Sequence, residues 1–447
     1  MENLIKKDLK YNWHPYTQMK DCQKYPPILI KKAKGIKLYD NKGNSYYDTI
    51  SSWWCNIHGH NHPKIRQAIN NQLKKLDHTL FAGFTHKPAI ELAEKLVAIT
   101  PKNLSKVFYS DNGSTAVEVA LKMSFQYWQN IGKKKKTKFL SLDHAYHGDT
   151  VGTMSVGGVG LFNKVFKPLF FKSPKALSPY CYRCPVGKDK QRCDIECINS
   201  LEKILKKNSS QIAALILEPL VMAAGGMIIY PAKYLKKAAV LAKKYNVHLI
   251  LDEVATGFGR TAKMFACEHA SVSPDFMCLS KGITSGTLPL AVTLTTKKIY
   301  RVFYGDYQKQ KTFYHGHTYT ANPISCSAAI ASLEIFKEEN VLKKVRRLSS
   351  ALGQGLEKFR DLDLVGDIRH IGMIGALELV KNKKTKQAFS LGERIGQKIY
   401  QNGLKQGLIL RPLGGITYFF LPFCLKKPQL QTILKKTYAI IKNLKNS

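Results

Sequence analysis

Acidic residues are scarce in this sequence, and cysteines and long apolar stretches are few. The 447 residues include 31 Asp and Glu against 70 Lys and Arg, a formal net charge of +39. Ten cysteines are too sparse for a disulfide scaffold in a chain of this length, so we expect mostly reduced thiols. A hydrophobic content of 44% excludes general disorder and is typical of a globular protein with a substantial core.

The sequence offers no convincing membrane span. Its longest apolar run, residues 212–229, is interrupted by Glu218, Pro219 and two glycines. The first eighteen residues carry lysines without the apolar segment of a secretory signal. We therefore expect a cytoplasmic protein that has no membrane partner.

The positive charge does not by itself indicate a nucleic-acid partner. Lysines are spread over the whole length, and the densest run, residues 133–136, follows Gly132 in what we interpret as a solvated loop. No nucleic-acid-binding motif accompanies the charge. We expect no nucleic-acid partner, and a basic nucleic-acid-binding protein stays as the alternative from a different functional class.

Short apolar runs alternate with helical stretches in the middle of the chain. These runs cover residues 107–109, 138–142, 213–217, 247–251 and 276–279. Continuous apolar runs separated by helices predict a mostly parallel sheet with both faces covered. The sequence thus predicts a large α/β domain over residues 71–324 and a smaller α+β domain over residues 325–447, with residues 1–70 packed against the smaller one.

Complementary side chains follow four of these apolar runs. Parallel sheets bind ligands beyond the carboxyl ends of their strands, so we expect these side chains to lie close together. Gly113 and Ser114, at the start of a predicted helix, indicate an anion site. Plain helix capping, with Thr115 and Glu118 as a capping box, is the alternative interpretation of this segment.

Three further residues extend this candidate site. Tyr146 is placed to stack on a flat ligand ring, or is an ordinary loop aromatic. Asp252 ends a buried strand and needs a cationic partner, either a protonated ring nitrogen or Arg260. Lys281 lies between an apolar strand and a glycine turn, where a desolvated amine becomes a nucleophile toward aldehydes. An anion site, a stacking ring, an acid and a buried amine together suit pyridoxal phosphate.

Longer motifs resemble the class III, fold-type I pyridoxal-phosphate aminotransferases. These motifs are DEVATGFGRT at residues 252–261, SKG at 280–282 and HGHTY at 315–319. Shorter ones resemble the branch of that family that aminates 8-amino-7-oxononanoate in biotin synthesis: WHPYTQM at 13–19, SSWW at 51–54, IHGH at 57–60, YHGDT at 146–150 and LRPL at 410–413. The resemblance covers nearly the whole chain and implies a fold-type I homodimer that binds pyridoxal 5'-phosphate.

The resemblance also implies residue roles. Lys281 would be the Schiff-base lysine, Asp252 the partner of the ring nitrogen, and Tyr16 a third catalytic residue. The implied cofactor-binding residues are Gly113, Ser114, Tyr146, Asp252 and Lys281, with His317 and Thr318 from the second subunit. The implied substrate-binding residues are Tyr16, Trp53, Tyr146, Lys281, Gly316, Arg411 and Tyr418. Arg411 would bind the substrate carboxylate through both oxygens.

The amino donor is open between two small molecules. Residues 315–318 carry histidine rather than proline, as does a branch of the family that uses lysine. Tyr16 and the Trp53-Trp54 pair resemble the branch that uses S-adenosylmethionine, which we expect here. Another class III transaminase, acting on an ω-amino acid or a diamine, is a further alternative.

Four cysteines form the pattern C-x2-C-x8-C-x3-C at residues 181, 184, 193 and 197. This spacing could hold zinc or an iron-sulfur cluster, and a loop of free thiols is the alternative. Transamination requires no metal, so we expect none among the active-site residues.

Overall fold

A computed structural model describes residues 2–189 and 192–446. Seven strands form the central sheet: β4 (Leu104–Ser110), β5 (Lys138–Leu142), β6 (Lys175–Ala176), β7 (Ile212–Leu217), β10 (His248–Asp252), β11 (Phe276–Leu279) and β12 (Ala291–Thr296). Their spatial order is β4-β12-β11-β10-β7-β5-β6. Only β12 runs against its neighbours, so the prediction of an α/β fold with a mostly parallel sheet is confirmed.

Alternate residues of the central strands enter two different cores. Leu215 and Leu217 of β7 pack into the larger core, whereas Ala214 and Ile216 pack into the smaller core. A strand that is buried on both faces has no polar side to present to water. This explains why β7 is a continuous apolar run rather than an alternating pattern.

Three smaller β structures surround the central sheet. They are an antiparallel sheet of β1 (Ile30–Lys34), β2 (Lys37–Asp40) and β3 (Ser45–Tyr47), a hairpin of β8 (Val221–Met222) and β9 (Ile228–Ile229), and an antiparallel sheet of β13 (Val365–Ile371), β14 (Ile374–Leu379) and β15 (Ile416–Phe420). Backbone hydrogen bonds from Tyr47 to Gly407 and from Phe420 to Thr49 join the first of these sheets to the C-terminal region.

The helices pack around these sheets. They are α1 (Glu2–Tyr11), α2 (Ser51–Trp54), α3 (Pro63–Leu73), α4 (Lys87–Ile99), α5 (Gly113–Asn130), α6 (Val151–Val156), α7 (Gly160–Asn163), α8 (Ile198–Asn208), α9 (Ala232–Lys244), α10 (Lys297–Phe303), α11 (Pro323–Glu338), α12 (Val341–Glu357), α13 (Ile395–Lys405) and α14 (Lys427–Lys442). Among the described residues, no helix is both long enough and apolar enough to cross a membrane.

Two local expectations from the sequence were wrong. The cap of α5 is Asn112, whose side chain accepts from the Thr115 backbone while Thr115 Oγ1 accepts from the Asn112 backbone. Glu118 instead accepts from Thr150. Lys136 is also not solvated, because its ammonium donates to three backbone carbonyls and burial lowers its pKa to about 8.

Candidate active site

A cavity of about 470 Å³ opens at the carboxyl ends of the central strands. This is where an open parallel sheet places its ligands. Its lining brings together residues that lie far apart in the sequence: Gly113, Ser114, Tyr146, Asp252 and Lys281. The register explains part of this convergence, because Asp252 on β10 pairs with Cys278 on β11, three residues before Lys281.

Lys281 forms one wall of the cavity, just beyond β11. Burial lowers the pKa of its amine below the ordinary lysine value, and the nearby Asp252 only partly opposes this effect. A lowered pKa increases the fraction of neutral, nucleophilic amine. The Lys281 backbone has φ +45°, an unusual conformation outside glycine that is often found at functional sites.

Asp252 is held by a buried histidine. Its Oδ2 accepts from His147 Nδ1 at 2.8 Å, and its Oδ1 accepts from the Val254 backbone at 3.1 Å. Because a carboxylate can only accept, the proton of His147 lies on Nδ1. The sequence's alternative partner, Arg260, donates instead to the carbonyl oxygens of Leu421 and Trp54.

The first turn of α5 forms a cradle beside Ser114 that could hold an anion. Gly113 packs so closely that an added Cβ would lie 2.6 Å from Val254 Cγ1. Gly148, at φ +129°, faces Ser114 Oγ so tightly that a Cβ would overlap it. The 18-residue helix α5 directs its N-terminal amides and the positive end of its dipole toward this point.

Glu218 is a site residue that the sequence reasoning missed. It follows β7 directly, and its two carboxyl oxygens accept from the backbones of Tyr146 and Ala223. Burial, reinforced by Asp252, raises the pKa of Glu218 to about 8. The signal was present in the sequence, because an acid directly after a buried strand is the pattern that identified Asp252.

The N-terminal segment brings Tyr16 to the outer edge of the site. Its hydroxyl donates to Asp149, at 2.6 and 2.7 Å from the two oxygens, and lies 3.4 Å from the Tyr146 hydroxyl. Burial and the Asp149 hydrogen bond raise the pKa of Tyr16 to about 12. The Tyr16 ring contacts Trp53 edge-on, with the ring centroids 5.6 Å apart.

Trp53 lies in a strained turn. The four residues of α2 have φ values of +50°, +44°, +79° and +76°, so this turn is left-handed rather than an ordinary helix. The Asp48 carboxylate holds it by accepting from the backbone of Ser52 at 2.9 Å. Such strain persists only where the surroundings enforce it, and it often marks a functional site.

Arg411 lines a wider outer cavity of about 1080 Å³ together with Tyr16. Its guanidinium lies 5.0 Å from the centre of the Trp53 ring. Within residues 2–189 and 192–446, no ion pair joins Arg411 to a carboxylate. The guanidinium can therefore bind an anionic group that enters this cavity.

Five predicted residues line neither cavity, and Trp53 is one of them. Tyr418 is buried behind Trp54, whose indole N–H donates to its hydroxyl at 3.2 Å, so it does not line either cavity. Gly316, His317 and Thr318 belong to a segment that is largely exposed in the single chain. The buried Nε2 of His317 has no hydrogen-bond partner among the described residues.

Comparison with known proteins agrees with this geometry. Residues 19–441 match the family described as aminotransferase class-III. The chain belongs to the class III aminotransferases. Two curated relatives, from Aquifex aeolicus and Geobacter sulfurreducens, are 46% and 44% identical to it over 99% and 96% of this chain and 98% and 94% of their own. Both are adenosylmethionine-8-amino-7-oxononanoate aminotransferases.

A solved structure extends the similarity to three dimensions. The crystal structure of adenosylmethionine-8-amino-7-oxononanoate aminotransferase from Methanocaldococcus jannaschii superposes with a TM-score of 0.94 at 43% identity, covering 99% of both chains. The predictions that this chain is an aminotransferase and has fold-type I architecture are therefore confirmed.

Class III aminotransferases use pyridoxal 5'-phosphate, and the residues of the cavity fit this cofactor. Lys281 supplies an amine of lowered pKa, and the glycine-lined start of α5 could hold a phosphate. Asp252 offers an acceptor to the ring nitrogen. The buried Nε2 of His147 is also left without a partner among the described residues, at the wall of the same cavity.

Proposed function

We propose that this aminotransferase converts 8-amino-7-oxononanoate to 7,8-diaminononanoate in biotin synthesis. The observation that carries the proposal is Arg411, whose guanidinium lies beside Trp53 and has no ion-pair partner among the described residues, in a cavity that can hold an extended acid. The names of the relatives from Aquifex aeolicus and Geobacter sulfurreducens support the same substrate. The substrate carboxylate would bind Arg411, leaving the distant ketone to point toward Lys281.

The donor we propose is S-adenosylmethionine. Tyr16 and Trp53 form an aromatic corner at the mouth of the site, where Tyr16 is anchored by Asp149. Flat, polarised faces of this kind attract a cationic sulfonium group. Lysine, which offers only a compact ammonium, is the alternative donor that the assay below distinguishes.

Each residue of the inner cavity has a defined task in this proposal. When bound, the cofactor provides an electron sink that stabilises negative charge on the substrate carbon. Lys281 would hold the cofactor through its amine and would take a proton from the substrate carbon. Asp252, which is oriented by His147, would keep a proton on the ring nitrogen. Gly113 and Ser114 would hold the phosphate, and Tyr146 would stack near the ring.

Glu218 would keep excess negative charge away from Asp252. With a pKa of about 8, its carboxyl is mostly neutral at pH 7, while its oxygens hold the Tyr146 backbone. Two ionised carboxylates in this cavity would compete for the same protonated ring. A neutral Glu218 leaves Asp252 as the single anionic partner of the cofactor.

We further propose a homodimer in which His317 and Thr318 reach the phosphate of the partner subunit, and Gly316 borders its substrate. The exposure of this segment and the unpartnered His317 Nε2 support that arrangement. We also propose a cytoplasmic location and a division into three parts, residues 1–70, 71–324 and 325–447. Analytical ultracentrifugation tests the dimer, since a monomer that is fully active would contradict it.

The substrate is tested by incubating the protein and pyridoxal phosphate with 8-amino-7-oxononanoate and one donor at a time. Mass spectrometry should detect 7,8-diaminononanoate with S-adenosylmethionine and not with lysine. Diamine formed only with lysine would overturn the donor. Amination of other ω-oxo acids or aldehydes, with no diamine from either donor, would overturn the substrate and favour a different class III transaminase.

A further inference from the structure

Four cysteines line a small cavity outside the active site. Cys181, Cys184, Cys193 and Cys197 surround about 50 Å³, and all four are thiols. The remaining walls are mainly apolar, formed by prolines and Ile195. This cavity has room for a single ion.

The backbone directs N–H groups at two of these sulfurs. The Lys188 amide donates to Cys184 Sγ at 3.3 Å, and the Ile195 amide donates to Cys193 Sγ at 3.2 Å. Both turns contain a left-handed residue, Gly187 at φ +69° and Ile195 at φ +68°. That conformation is costly for a β-branched residue, so the strain at Ile195 needs a compensating interaction.

From this arrangement we infer that the four cysteines bind one Zn²⁺ ion as a structural site. Amide groups that point at sulfur stabilise the thiolate form, which is the form that binds metals. Four sulfurs with a C-x2-C pair match tetrahedral zinc, which prefers soft thiolate ligands. Within the described residues, no three His, Cys, Asp or Glu side chains already converge as a metal-binding group, so the thiols must turn toward the cavity as the ion enters.

Charge in the loop is suited to this role. A zinc ion with four thiolates carries two net negative charges, and Arg183 and Lys188 lie in the same loop. Binding releases the four thiol protons. The Cys193 thiol donates a hydrogen bond to the Glu196 carboxylate at 3.0 Å, and its proton would pass to water when zinc binds.

The site would fix the cysteine loop between two parts of the protein. Tyr180 and Arg183 bind the Glu378 carboxylate on β14, with Arg183 Nε at 2.6 Å from Oε1. On the other side, Ser178 contacts the Asp143 carbonyl and the His144 ring, which precede Tyr146 in the chain. Zinc would therefore stabilise the loop without taking part in transamination.

The first test is the metal content of the full-length protein purified without chelators. Elemental analysis should find about one zinc ion per chain, and protein stripped with a chelator should regain it from a zinc salt alone. Replacement of zinc by cobalt(II) should produce the visible absorption of a tetrahedral thiolate complex. Protein that neither contains nor takes up zinc, or that holds iron instead, would overturn the inference.

Variants distinguish the proposed ligands from other thiols. The double variant Cys184→Ser/Cys193→Ser should lose the bound zinc and unfold at a lower temperature, whereas Cys424→Ser, which changes an exposed thiol, should keep both properties. If the double variant fails to fold, zinc-dependent protection of the wild-type cysteines from alkylation gives the same information. Full zinc content in the double variant, or equal alkylation with and without zinc, would contradict the assignment.

Discussion

His147 Nδ1 donates to Asp252 Oδ2 at 2.8 Å, and both side chains are buried beneath the inner cavity. A buried carboxylate that is fixed from behind by an imidazole can present its free edge to a protonated ring in only one direction. The pair thus links the end of β10 to the loop after β5. We expect the hydrogen bond between His147 and Asp252 to determine how well the cofactor accepts electrons.

The change Asp252→Asn should slow the first half-reaction by about 10²–10⁴-fold, because an amide cannot hold a proton on the ring nitrogen as a carboxylate does. His147→Gln should have a smaller effect, since it disturbs only the orientation of Asp252. Stopped-flow spectroscopy of the bound cofactor measures both rates. An Asp252→Asn rate within a factor of two of the wild-type rate would contradict the assigned role.

The change Arg411→Lys should raise the KM for the oxo acid by about 10–100-fold, because an ammonium cannot bind both carboxylate oxygens. The KM for S-adenosylmethionine should change much less. Steady-state kinetics with each substrate varied in turn separates the two effects. The matched control is Arg346→Lys on α12, which should leave both KM values unchanged. Equal increases in the KM values of both substrates with Arg411→Lys would argue against a carboxylate-specific role.

The change Gly148→Ala should weaken cofactor binding at least about tenfold, because its Cβ would overlap Ser114 at the phosphate cradle. Gly132→Ala is the control, since Gly132 also has a positive φ, +78°, but has open space around it. The Gly132→Ala change should cost only about 1–2 kcal/mol of backbone strain and leave the cofactor affinity unchanged. Fluorescence titration of cofactor-free protein measures the affinity, and equal affinities of the two variants would refute the cradle.

The raised pKa of Glu218 predicts that the stability of the protein depends on pH. Its pKa is about 8 in the folded protein against an ordinary value of 4.5, so between these values the folded state holds one more proton than the unfolded state. This group therefore lowers the free energy of unfolding by about 1.4 kcal/mol for each unit that the pH rises in that window. Above pH 8 its contribution to the slope disappears.

Glu218→Gln should remove this contribution to the pH dependence of the free energy of unfolding in cofactor-free protein. Urea denaturation at several pH values measures that dependence. Glu202→Gln, at an exposed carboxylate that pairs with Lys244, should leave the slope of this window unchanged. An identical slope in wild type and Glu218→Gln would mean that Glu218 is ionised in the folded protein.

The sequence predicted those parts of the site that depend on strand order alone. Apolar runs identified the strands, and a parallel sheet necessarily collects their carboxyl ends, so Gly113, Tyr146, Asp252 and Lys281 could be placed together. The motifs then identified the family, which the comparisons confirm.

Other features depend on tertiary contacts that no local pattern encodes. Lys136 is buried because carbonyls from two separate segments, residues 209–212 and Asn246, surround its ammonium. The left-handed turn at Trp53 is held by Asp48, and its positive φ values are not a conformation that serine or tryptophan favours. Tyr418 is buried behind Trp54, and its contact with substrate stays a prediction. The proposed role of Thr318 requires a second subunit.

The most direct test of the account is to identify the lysine that carries the cofactor. The protein is loaded with pyridoxal phosphate, reduced with borohydride and digested, and the modified peptide is located by mass spectrometry. Among the many lysines of this chain, we predict a single stable modification on Lys281, absent from Lys281→Ala. A modification on another lysine, with the peptide containing Lys281 unmodified, would contradict it.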